Sequence, residues 1–219
     1  MPRLLFTKTD EAVWMSHLDL MRLMQRAFKR AGLNLKHTQG YNPRPSVSIA
    51  MPLSVGVESI CELLDFDLEG DSVPCDQITE CLNAALVPGV QVLKTYNDCC
   101  KIKDLAFLSC QINLEYDAGV PGDAIDSIGA LFRKDSVIVE KKGKNGPTQQ
   151  DIIPMIRRFG LSQIDEKTLQ LSAVVCCQNP SLNPMQMIAA INVYLPQYAP
   201  DFARCRRLEV YDTNEKEFR

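Results

Sequence analysis

The stretch from Ser16 to Pro45 sets the tightest limits on how this chain can fold, because an amphipathic helix there runs into a turn that cannot be helical. Ser16 is a good N-cap. Asp19, three residues later, can reach back to free backbone N–H groups and meets the positive end of the helix dipole. Gly32 supplies the stop. On a wheel of about 3.6 residues per turn, Leu20, Met24, Ala27, Phe28 and Ala31 share one side, with Met21 at its edge, and that side is expected to be buried. Arg22, Arg26, Lys29 and Arg30 form a basic ridge opposite. The ridge has two readings: a solvated face on which Asp19 pairs with Arg22 or Arg26, or the wall of an anion site.

The turn Gly40-Tyr41-Asn42-Pro43-Arg44-Pro45 follows. Its two prolines fix φ and push Asn42 and Arg44 toward extended conformations, so the segment is stiff. Presented beside a basic helix, Tyr41, Asn42 and Arg44 offer an aromatic face, an amide and a guanidinium. These groups suit stacking on a base and clamping a phosphate. The plainer alternative is a structural turn with Tyr41 packed inward.

Apolar periodicity outlines the rest. Strands are expected over 3–8, 46–51, 61–68 and 90–96, and helices from Ser16 and from Pro74, giving the order β-α-β-β-α-β. That order defines a ferredoxin-like, antiparallel α+β unit. After a polar joint at 97–104, strict alternation from Ala106 to Tyr116 marks another strand, followed by a helix over 122–132 and a strand over 136–141. Residues 141–146, KKGKNG, suggest a basic hairpin tip or mobile loop. Residues 151–159 suggest a short extended-then-helical piece with Arg157 and Arg158 exposed. A strand over 168–177, a helix from Asn183, a strand over 207–211 and a frayed tail from Asn214 complete the chain. The expectation is two tandem ferredoxin-like (βαββαβ) units, 1–97 and 98–219, the second with an insertion near 142–160.

Composition narrows the function classes. The 219 residues are 46% hydrophobic and 23% charged, as in a soluble globular protein. No apolar run is long enough to span a bilayer and the N-terminus has no secretory h-region, so the expected location is cytoplasmic and no membrane partner is expected. Nine cysteines include no C-x-x-C pair, and only His17 and His37 could join them at a metal, so no metal site is expected. Most of the thiols are expected to be buried as small hydrophobes, with Cys99-Cys100 the pair to watch. The chain has no C-x-x-x-C-x-x-C for an iron–sulfur cluster, no phosphate loop, no G-x-S-x-G and no H-E-x-x-H. Charge is uneven: residues 1–50 carry eight Lys or Arg against three acids, and the remainder 16 against 24, for a net −3. Such a chain can hold a polyanion at one site without attracting it everywhere.

The runs SHLDLMRLMQRAFKRAGL and QGYNPRPSVSIAMPLSVGVES resemble the radical-SAM-linked domain family, whose members carry a serine-histidine-leucine-aspartate helix start and a glycine-aromatic-asparagine-proline turn. The match is dense over 3–69, and Asp151, Ile152, Pro154 and Ile156 look like a second, weaker signature. The resemblance implies a domain fused to, or encoded beside, a cobalamin-binding radical SAM protein. The iron–sulfur cluster, S-adenosylmethionine and cobalamin are then expected only in that partner, and no cofactor in this chain. The family turn usually places histidine where Arg44 stands. A guanidinium, which stays protonated, cannot replace a group that exchanges protons near neutrality, whereas phosphate binding survives the change.

Three functions follow as expectations. The first is a non-catalytic accessory module that presents RNA or another phosphorylated substrate to a separate radical SAM enzyme through Ser16, His17, Asp19, Arg22, Arg26, Lys29, Arg30, Tyr41, Asn42 and Arg44. The second is an acid–base enzyme using His17 with Asp19 or Glu58, the helix dipole keeping the imidazole neutral. The third is a protein-interaction adaptor that offers the same motif to the radical SAM partner.

Overall fold

The computed structural model describes residues 1–97, 99–143 and 146–219, and the chain folds as a mixed α+β protein with antiparallel sheets. It divides into two compact units, 1–104 with 217–219, and 105–216. The joint expected at 97/98 therefore lies further along, after Asp104, and the last three residues return to the first unit. Among the described residues no helix is long and apolar enough to cross a membrane.

The first unit runs β1 (Arg3–Lys8), α1 (His17–Arg30), β2 (Val47–Ala50), β3 (Glu58–Phe66), α2 (Cys75–Asn83) and β4 (Val92–Tyr96). Its strands lie in the order β4-β1-β3-β2, every pair antiparallel, with Leu4 opposite Leu64 and Ile49 opposite Leu64. α1 begins where the cap residues require. Ser16 Oγ accepts from the Asp19 N–H at 3.2 Å and donates to Asp19 Oδ2 at 2.7 Å. Gly32 ends it at φ +71, a backbone state that costs glycine little. Leu20, Met24, Ala27 and Phe28 are buried as the helical period demands, and Phe28 meets Phe66 at a centroid separation of 5.0 Å. Gly89, at φ +82, closes α2 onto the start of the chain: a Cβ there would stand 2.4 Å from the Thr9 carbonyl oxygen.

The tail expected to fray is packed. Phe218 is fully buried under the Arg3 guanidinium, 4.9 Å from its ring centre, and Cys100 N–H donates to the Arg219 carbonyl at 2.8 Å. Arg3, itself buried, is held by Asp65 at 2.6 Å and 3.0 Å and donates to the Cys100 carbonyl at 3.0 Å. The isolated apolar residue near the end of the sequence is thus part of the first core.

The second unit runs β5 (Leu105–Glu115), α3 (Ala124–Phe132), β6 (Ile138–Gly143), β7 (Gly146–Asp151), β8 (Ile156–Gln163), β9 (Thr168–Cys176), α4 (Met185–Tyr194) and β10 (Phe202–Asp212). Its main sheet has the order β10-β5-β9-β8, all antiparallel, with Ile112 between Cys205 and Leu171. Among the described residues β6 and β7 pair only with each other, as a hairpin. The tip of the basic loop expected at 141–146 falls on 144–145, outside the described residues. Two expectations change here. The strand at 136–141 belongs to that hairpin rather than to the main sheet, and the piece expected to be extended then helical is β8, entered through a short 3₁₀ turn at Ile153–Met155 that accommodates Pro154.

Candidate functional site

The outward side of α1 carries Arg22, Arg26 and Lys29, all exposed, along one wall of a hollow of about 420 Å³. The floor is apolar, from Leu33, Leu35 and Pro45. Asn34, His37 and Glu69 complete the far side, and Gln25 adds an amide from the helix. Main-chain pairing fixes this far side: Glu69 N–H donates to the Asn34 carbonyl at 2.8 Å, Lys36 N–H to that of Asp67 at 2.9 Å, and Leu35 bridges Leu68. The volume lies within the range of small-molecule sites.

The proline-rich turn forms a narrow hairpin on the rim. His37 bridges Pro45, Thr38 N–H donates to the Arg44 carbonyl at 2.8 Å, Arg44 N–H returns to Thr38 Oγ1 at 3.0 Å, and Ser46 N–H donates to the Lys36 carbonyl at 2.6 Å. Gly40, at φ +142, makes the bend possible. Tyr41 at the tip is 100% exposed, so the alternative with its ring packed inward does not hold. Asn42 and Arg44 are also exposed, but neither lines the hollow, which the hairpin enters only through His37 and Pro45.

The remaining candidates divide. Arg22 is paired with Asp19 at 3.3 Å, both side chains exposed, as the plainer reading of the ridge has it. The hydrogen bond from Ser16, with the Arg22 charge beside it, holds the Asp19 carboxyl below the ordinary carboxylate range. Arg26 and Lys29 have no ion-pair partner among the described residues. Arg30 leaves the group, donating to the Ala85 carbonyl at 2.8 Å beside a separate hollow with Cys81 and Ala84. His17 is half-buried, and its Nδ1 is buried with no hydrogen-bond partner among the described residues. Glu58 is half-buried at the start of β3.

The second signature has a structural account. Asp151 Oδ1 accepts from the Val137 N–H at 3.0 Å and the Ile153 N–H at 3.1 Å, which ties the hairpin to the turn after it. Four of the nine cysteines are buried, Cys61, Cys110, Cys177 and Cys205, fewer than expected, and only Cys100 is exposed. Burial pushes the Cys99 thiol up, away from a reactive thiolate. Among the described residues no group of three or more His, Cys, Asp or Glu is placed to hold a metal ion. Sequence reasoning missed Gln25, Asn34, His37 and Glu69. The alternation Leu33, Leu35, His37 after Gly32 was the available signal, since it turns both leucines inward beneath the ridge.

Fold and site together define an α+β protein with an open cationic hollow on its first unit. The chain belongs to the family described as uncharacterized proteins conserved in bacteria (DUF2344), whose model matches residues 2–184. No curated protein matches the sequence. Among solved structures, a chain in the crystal structure of a Cbf5-Nop10-Gar1 complex is similar at 8% identity and a TM-score of 0.50, over 95% of this chain and 48% of that one. This chain thus spans about half the length of that relative. At that identity the likeness concerns the fold alone. The crystal structure of an unknown protein from Galdieria sulphuraria aligns over 94% of this chain and 96% of its own at 12% identity, with a TM-score of 0.27.

Proposed function

We propose that the chain is a non-catalytic binding module of the cytoplasm that holds RNA, or another phosphorylated ligand, in the hollow beside α1 and presents it to a separate radical SAM enzyme. The observation that carries this reading is the pair Arg26 and Lys29: both are exposed, both border the hollow, and neither has an ion-pair partner among the described residues. Unpaired cations over an apolar floor leave charge available for a phosphate. The exposed Tyr41 offers a face on which a neighbouring base can stack. The radical SAM partner rests on the motif resemblance, as does the expectation that the cofactors reside there. The finer fold reading, two tandem ferredoxin-like units, is supported by their shared strand order, in which the first strand of each main sheet lies between the third and the fourth.

The test is fluorescence anisotropy with a labelled single-stranded RNA. Arg26→Glu with Lys29→Glu is expected to remove binding, and Tyr41→Ala to weaken it by about 1–3 kcal/mol, the usual worth of one stacked base. Since all three side chains are exposed, thermal stability should be unchanged. Equal affinity of the double variant and the parent sinks the proposal. One observation favours the acid–base alternative, the unpartnered buried Nδ1 of His17. Against it, the Asp19 carboxylate is already taken by Ser16 and Arg22.

A further inference from the structure

Glu69 is the odd residue in the hollow. Its carboxylate, 58% exposed, shares the space with Arg22, Arg26 and Lys29, and stands 4.0 Å from His37 Nδ1, beyond hydrogen-bond length. A carboxylate there opposes a phosphate unless the ligand brings N–H or O–H donors to meet it. Asn34 is its main-chain neighbour, its carbonyl accepting from the Glu69 N–H at 2.8 Å, and the Asn34 side-chain amide lines the same hollow with no partner among the described residues. The far side therefore presents two acceptors on Glu69 next to a donor on Asn34.

The bases differ in what they could offer such a pair. Adenine and cytosine place a ring acceptor beside their one exocyclic donor, and that acceptor would face a carboxylate oxygen. Uracil has a single N–H between two carbonyls. Guanine alone carries two adjacent donors, N1–H and the N2 amino group, followed by the O6 acceptor. We infer that the hollow selects a guanine nucleotide, with Glu69 accepting from N1–H and N2–H₂, Asn34 donating to O6, and Arg26 and Lys29 meeting its phosphate. Leu33, Leu35 and Pro45 give the ring its apolar floor. The inference rests on the reading of the hollow as a phosphate-binding site and adds a base preference to it.

Calorimetry on the full chain with GMP, AMP, CMP, UMP and dGMP tests it, alongside the RNA anisotropy. GMP is expected to bind at least about tenfold more tightly than the other three ribonucleotides, as one bidentate base contact allows. Glu69→Gln should bring the four within about threefold of one another. That side chain is exposed, so the variant will fold, and dGMP should follow GMP. Equal binding of all four bases overturns the inference yet leaves the phosphate reading standing. So does a penalty on dGMP without base preference, which would put the carboxylate on ribose hydroxyls, or a guanine preference that Glu69→Gln leaves intact. If neither nucleotides nor RNA bind, both fall.

Discussion

At the residue scale, Ser16 and Asp19 satisfy each other at the start of α1, and the consequence is a pH dependence with a definite sign. Ser16 donates to the Asp19 carboxylate at 2.7 Å and accepts from its N–H at 3.2 Å, and Arg22 stands 3.3 Å away. These contacts, the Ser16 hydrogen bond foremost, favour the ionised carboxyl in the folded chain and lower its pKa from the ordinary 3.8. In acid the unfolded chain then binds more protons at this site than the folded one does. The stability Asp19 contributes is complete above pH 3.8 and is lost as pH falls through the lowered folded value. Thermal melts of the parent and Asp19→Asn should differ at neutral pH and converge in that acid window. A difference that persists unchanged below it would mean that the carboxylate is not what the cap uses.

At the element scale, the last residues of the chain are a packed part of the first unit. Phe218 is fully buried against the Arg3 guanidinium, while Arg3 is held in turn by Asp65. Removing the ring opens a cavity beside the buried Arg3 and its half-buried partner Asp65, so Phe218→Ala is expected to cost about 3–5 kcal/mol in urea unfolding. A frayed tail would lose almost nothing. No local pattern announces this contact, because its partners lie at opposite ends of the sequence and the flanking residues, Glu215 to Arg219, are otherwise polar. α1 was legible for the opposite reason: Leu20, Met24, Ala27 and Phe28 repeat at the helical period, and a period needs no partner to be read. β8 was missed because Gly160 and the outward Arg157 and Arg158 blur its alternation, although its register with β9 is regular from Arg158 onward. In the site, the helix wheel located Arg22, Arg26 and Lys29. It could not show that Arg30 reaches the Ala85 carbonyl, that the hairpin carries Arg44 away from the hollow, or that Glu69 enters from the end of another element.

At the scale of the whole molecule, the distribution of charge decides what kind of binding is possible. Residues 1–50 hold an excess of five positive charges and the remainder an excess of eight negative ones, so a polyanion is attracted at one place and repelled over much of the rest. Binding should therefore follow a small, countable number of phosphates rather than a diffuse field. Among the described residues three cations, Arg22, Arg26 and Lys29, border the hollow. With about 0.7 counterions released per phosphate of a single strand, the slope of log affinity against log salt is expected to be about −2. Replacing Arg26 and Lys29 by Ala should leave about −0.7, the share of Arg22 alone. A parent slope of about −3 or steeper would bring Arg30 or Arg44 into the contact and contradict the placement of both outside the hollow. A flat response would remove phosphate from the account altogether, since an electrostatic site this exposed cannot bind an anion without displacing its counterions.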